Sequence, residues 1–157
     1  MSWIREQFTF QDLQRLLLKL SEHVKAFQGL TPAEISDLLG SSEKCSFAPG
    51  TYIVKEGNSG NHMYVILAGE ARVVKAGRGG EVELAKLTSA DSFGEMGLVD
   101  NEARSASVVA DSSCVLVRIT DQIINTRPDI GLKVYRNISK VLAARLRQAD
   151  ELLVWRI

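Results

Sequence analysis

The sequence predicts a mainly β domain: an eight-stranded antiparallel β-roll, or jelly-roll barrel, with helices before it and one long helix after it. Three observations predict this class. Helical periodicity is confined to the two ends of the chain. From Cys45 to about Thr120 the apolar runs are short, and turn residues recur between them. No long helical pattern separates those runs, which favours an antiparallel barrel over a βαβ fold.

Residues 1 to about 29 read as helix. Leu13, Leu16, Leu17 and Leu20 recur at three- and four-residue spacing, Val24 and Phe27 follow, and Gly29 ends the segment. That apolar face can pack on its own barrel or on a partner. Thr31-Pro32-Ala33-Glu34 then reads as a helix start. Thr31 can cap, Pro32 suits the first helical position, and Glu34 closes a capping box. The helix carries Ile35, Leu38 and Leu39 to a stop at Gly40. The expected division is a helical extension over 1–29 and a domain over 30–157.

In the middle, turns are signalled by Pro49-Gly50, Gly57 to Gly60, Gly69, and Gly77 to Gly80. Strands fall between them: Tyr52-Ile53-Val54, Met63 to Ala68, and Glu70 to Lys75. Val82 and Leu84 alternate with Glu81 and Glu83, the period of a half-buried strand. Val115, Val117 and Ile119 alternate with Leu116 and Arg118 in the last strand. The chain then returns to helix. Thr126-Arg127-Pro128-Asp129 repeats the capping logic, with Thr126 as the cap. Ile130, Val134, Ile138, Val141 and Leu142 form its apolar stripe. Unbroken from about residue 128 to the end, this helix spans roughly 40 Å, more than the barrel needs for cover. Part of it is expected to project or to meet a partner.

Composition narrows the function. Nineteen basic and 19 acidic side chains balance, so nothing argues for a nucleic-acid or anionic-membrane partner. No apolar run is long enough to span a bilayer, and Trp3, Arg5, Glu6 and Gln7 break any signal-peptide pattern. The expectation is a cytoplasmic protein whose two cysteines, Cys45 and Cys114, are buried thiols rather than a disulfide. The two histidines, His23 and His62, have no metal-site spacing. No nucleophile sits beside a base, so no enzyme is expected.

The chemistry lies in Ser92 to Ser107. Gly94 and Gly97 bracket a short apolar turn whose N–H groups can approach an anion closely. Asp100-Asn101-Glu102 reads as a loop, and Arg104 stands just before an apolar strand. Asp91, Glu95, Asp100 and Glu102 surround this single arginine in sequence. Two partners suit it: a phosphate bound through parallel charge-assisted hydrogen bonds, or an internal salt bridge to Asp100 or Glu102.

The whole string resembles the phosphate-binding cassette of the cyclic-nucleotide-binding domain family, of the catabolite-activator and protein-kinase regulatory-subunit type. Phe93-Gly94-Glu95-Met96-Gly97-Leu98, a loop, and Arg104-Ser105-Ala106 match its pattern. Val54 to Ile66 is similar to the family's glycine-punctuated hairpin, Gly69 to its next turn glycine, and Ala143 to Ala149 to its C-terminal lid. The resemblance covers roughly Leu30 to Leu153 and leaves residues 1–29 outside.

The resemblance implies a binding module for cAMP, or less readily cGMP, with no other cofactor. Glu95 would accept from the ribose 2′-OH, and Arg104 would pair with the cyclic phosphate. Gly94 and its neighbours would approach the sugar-phosphate, and Ser105 would add a hydroxyl to the phosphate or to a guanine edge. Where catabolite activators place a base-contacting threonine, this chain has Ala149, which leaves Arg145 or Arg147 to stack on the purine. About thirty residues follow Pro128, too few for a winged helix, so a stand-alone domain is expected. Its partner would be an unidentified effector or a second copy, met through the C-terminal helix or the N-terminal leucine face. Phosphate would draw the cassette inward, Leu98 would shift against Ile119 to Ile124, and the C-terminal helix would close as a lid. A different class also fits: an interaction or oligomerisation domain that kept this fold and lost its ligand.

Overall fold

The computed structural model describes residues 3–155. Helices α1 (Trp3–Gln7), α2 (Phe10–His23) and α3 (Pro32–Gly40) precede the strands, with a 3₁₀ turn at Lys25–Phe27. Strands β1 (Glu43–Phe47), β2 (Tyr52–Val54), β3 (His62–Ala68), β4 (Ala71–Gly77), β5 (Gly80–Leu87), β6 (Ser92–Phe93), β7 (Ser107–Ala110) and β8 (Cys114–Thr120) follow. A second 3₁₀ turn, Glu95–Leu98, separates β6 from β7. Helices α4 (Asp121–Asn125) and α5 (Pro128–Trp155) close the chain.

The eight strands pair antiparallel in two four-stranded sheets, β1-β8-β3-β6 and β2-β7-β4-β5. The expected jelly roll is therefore present, as two facing sheets rather than a ring closed by hydrogen bonds. Side chains alternate across a strand, so β3 and β8 divide their residues between two cores. Tyr64, Ile66 and Leu116 point between the sheets, against Ile53, Phe93, Val108 and Ala110. Met63, Val65, Val117 and Ile119 point the other way, under the helices. Burial on both faces explains why β3 reads as a continuous apolar run.

The predicted capping box of α3 forms. Thr31 Oγ1 accepts from the Glu34 N–H at 3.1 Å, and Glu34 Oε1 accepts from the Thr31 N–H at 3.0 Å. The N-terminal leucine face packs on its own chain: Leu16, Leu17, Leu20, Val24 and Phe27 share the core of Val117 and Ile119.

Two local expectations need correction. Strand β5 is not half-buried, since Val82 and Leu84 are 52% and 56% exposed. It is the outer strand of its sheet and pairs with β4 alone, so period two has no second layer to bury against. Thr126 does not cap the last helix. Its N–H donates to Gln122 O and its hydroxyl to Ile123 O at 2.7 Å, which ends α4. Helix α5 instead begins after Arg127, whose carbonyl accepts from the Gly131 N–H at 2.8 Å.

Over its first half, α5 is anchored. Ile130, Val134 and Ile138 are buried, and Asn137 Nδ2 donates to the carbonyls of Ala26 (3.0 Å) and Gln28 (2.7 Å). Lys133 Nζ reaches Glu34 Oε1 at 2.8 Å, and Arg127 Nε reaches Asp37 Oδ2 at 2.6 Å. From Ala143 to Trp155 every side chain is exposed. Among the described residues no helix is long and apolar enough to cross a membrane. Both cysteines are free; Cys114 is buried and Cys45 only partly so.

Candidate functional site

Strand β6 lies beside β3, with Phe93 opposite Tyr64 and their rings stacked 5.2 Å apart. This contact fixes where the chain leaves the sheet. Gly94 then turns it through φ +82°, a conformation that a side chain would strain. The 3₁₀ turn follows at once. Its first N–H groups have no acceptor inside so short a turn. Leu98, at its end, is buried among the helix-side residues, whereas Met96 is 44% exposed on the opposite side.

The loop after the turn is held by its own polar groups. Asp100 Oδ1 accepts from the Glu102 N–H at 3.1 Å. The Arg104 backbone is pinned at both ends, donating to Asn58 O at 2.8 Å and accepting from the Gly57 N–H at 2.9 Å. The β2–β3 loop therefore sets where the Arg104 side chain starts.

The guanidinium of Arg104 is partly buried and, among the described residues, has no carboxylate partner. Its Nη1 donates to Gly94 O at 3.0 Å and its Nη2 to His62 O at 2.6 Å. Among the described residues the ion pairs are Arg72–Asp111, Lys75–Glu56, Arg118–Glu43, Arg127–Asp37 and Lys133–Glu34. The salt bridge to Asp100 or Glu102 is thus not formed. Loss of water lowers the Arg104 pKa from the ordinary arginine value, opposed by the nearby Tyr64 and Glu95. Glu95 is partly buried too, and its Oε1 accepts from the Ser92 hydroxyl at 2.6 Å.

Arg104 and Glu95 face one cleft of about 390 Å³. Val54, Val73, Leu87 and Val108 supply apolar walls, Gly94, Gly97, Ser105 and Ala106 lie among them, and Asp100 and Glu102 of the loop also line it. That size and mixture suit a small organic ligand with an anionic group. Arg145 stands at the mouth, with Nη1 3.5 Å from Met96 Sδ. A second hollow of about 400 Å³ shares Leu87, Ser92, Glu95, Met96 and Arg145, and runs between Ala26, Ile138 and Gln148.

Of the residues singled out in the sequence, Phe93, Gly94, Glu95, Met96, Gly97, Arg104, Ser105, Ala106 and Arg145 line the cleft. Leu98 does not; it belongs to the helix-side core. Ala149 is exposed and outside the lining of both hollows. The sequence reading missed three contributors. The valine walls carried no local sign separating them from sealed core. His62 contributes its backbone carbonyl, which any residue could supply. Lys75 steadies the loop by donating to Ser105 O at 2.8 Å, although a lysine on a strand ordinarily reads as surface.

The Cyclic nucleotide-binding domain pattern matches residues 44–126, just over half of the chain. The chain is 32% identical over 118 residues to the cAMP-dependent protein kinase regulatory subunit of Hypocrea atroviridis, covering 70% of this chain and 25% of that protein. It is 35% identical over 102 residues to the cGMP-dependent protein kinase of Toxoplasma gondii, covering 65% of this chain and 10% of that protein. Among solved structures, the Thermus thermophilus catabolite activator protein superposes with a TM-score of 0.72 at 32% identity. That match covers 82% of this chain and 61% of the activator. The chain thus spans a quarter or less of the two kinase relatives' length.

Proposed function

The chain belongs to the cyclic nucleotide-binding domain family, and from that premise we propose that it binds cAMP, in preference to cGMP, in the cleft beside Arg104. It acts as a ligand-gated regulatory module and carries out no chemistry of its own. One observation carries this reading: a partly buried guanidinium, without a carboxylate partner among the described residues, shares a cleft with the Glu95 carboxylate.

A guanidinium has five N–H donors. Two are committed to backbone carbonyls, which leaves three for phosphate oxygens. A cyclic phosphate carries one negative charge and needs no metal, so one arginine plus nearby backbone N–H groups can balance it. Glu95 accepts from Ser92 through one oxygen, which leaves the other for a ribose 2′-OH. The valine walls suit the sugar and the purine edge. Ser105 offers its hydroxyl to the phosphate. Arg145, at the mouth, is the base contact this reading assigns; Ala149 would have to be carried inward with α5. The preference for cAMP draws support from the relatives, since a cAMP-dependent regulatory subunit matches over more of the chain than the cGMP-dependent kinase does.

The output would be read from α5, whose exposed half presents Leu146, Leu152, Leu153 and Trp155 to an effector or a second copy. Calorimetric titration with cAMP and cGMP tests the proposal. Wild type should bind, Arg104→Ala should lose on the order of 100-fold, and Glu95→Ala about 10-fold. Absence of heat with both nucleotides would favour the interaction-domain reading instead.

A further inference from the structure

We infer that the start of β3 is a preformed seat for the Arg104 guanidinium, and that Gly60 is the positioning residue that keeps it open. The inference rests on the assignment of Arg104 to the phosphate, and extends it to residues outside the cassette.

Three glycines crowd the guanidinium. A Cβ on Gly94 would lie 2.5 Å from Arg104 Nη1, and one on Gly97 3.0 Å from the same nitrogen. A Cβ on Gly60 would lie 2.8 Å from Nη2 and 3.2 Å from Nε. Nitrogen and carbon do not approach so closely without displacement, so each missing side chain is space the guanidinium occupies. The His62 carbonyl holds Nη2 at the floor of this space and the Gly94 carbonyl holds Nη1. A fork bonded at two points and walled by three glycines cannot swing as a lysine would. It meets the ligand already aimed, which removes an ordering cost from binding.

Gly60 isolates this role from the others. Gly94 needs its left-handed backbone whatever surrounds it, and a Cβ on Gly97 would also lie 2.6 Å from the Gly60 carbonyl. Gly60 has no such backbone demand; the three atoms nearest its Cβ would all belong to the Arg104 and His62 side chains. An added methyl there should push the guanidinium off the His62 carbonyl and leave the strands in place.

The test is a double-mutant cycle of Gly60→Ala and Arg104→Ala, read by urea unfolding without nucleotide and by cAMP titration. Gly79→Ala, at a turn position with open space around it, is the control. Gly60→Ala should lower the unfolding midpoint in the wild-type background and leave it nearly unchanged once Arg104 is gone. It should weaken cAMP at least 10-fold in wild type and add nothing in Arg104→Ala. Equal loss of midpoint in both backgrounds would overturn the seat. Should Gly60→Ala alone fail to fold, recovery of the fold in the double variant supports the seat, and continued failure refutes it. If wild type shows no heat with cAMP, the nucleotide assignment falls, while the unfolding cycle still decides whether the glycines serve Arg104.

Discussion

The two faces of the β3–β8 pair use the same kind of strand for opposite ends. On the helix side, Met63, Val65, Val117 and Ile119 are fully buried in a core shared with helices from both ends of the chain. On the other side, Tyr64, Ile66 and Leu116 pack between the sheets with Phe93 and Val108. Phe93 and Val108 also line the cleft, where Val54, Val73 and Leu87 are partly exposed and Arg104 and Glu95 are partly buried. The difference separates a closed core from an open one. One face is sealed by packing, and the other leaves a cleft, the one proposed above to hold the nucleotide.

The largest effect that would sharpen this contrast is a cavity on the helix side. Ile119→Ala should destabilise the fold by about 2–5 kcal/mol, a large share of a typical domain's stability. Urea unfolding reads it. The same truncation at a cleft wall, Val73→Ala, should cost clearly less stability, because that site is already open to water. Equal costs would erase the distinction between the faces.

Asn137 comes next. It is buried and satisfies the carbonyls of Ala26 and Gln28. Asn137→Ala leaves both unpaired and should cost about 1–3 kcal/mol. It should also loosen the first half of α5, visible as faster amide exchange from Pro128 to Ile138. No change in exchange there would mean that the helix is held by its apolar face alone.

A smaller, pH-dependent effect belongs to His62. Burial and the neighbouring Arg104 and Arg118 cations lower its pKa, with Asp121 acting the other way. The unfolded chain therefore takes up the proton first as pH falls. The stability His62 contributes is complete above the ordinary histidine pKa of about 6.5 and declines below it. His62→Gln keeps the carbonyl that holds Arg104 and should flatten that decline, measured as unfolding midpoints between about pH 5 and 8. An unchanged slope would place the titration elsewhere.

Much of this was legible in the residues themselves. The cassette is contiguous, so Phe93 to Ala106 carries its chemistry in one readable string, and Thr31 with Glu34 announces a helix start through a local bond pattern. What escaped reading depends on partners distant in sequence. Val82 and Leu84 have the period of a half-buried strand, but only sheet order reveals that β5 is an edge. Thr126 has a capping side chain, yet whether it ends one helix or begins the next is settled by neighbours on both sides. The His62 carbonyl and the space at Gly60 act through backbone and through absence, which residue identity does not display.

The most direct test of the division between a packed face and a binding face is thermal unfolding with and without cAMP. Saturating ligand should raise the Tm of wild type through binding to the native state and leave that of Arg104→Ala where it was. An equal rise in both proteins, or no rise in wild type, would contradict it.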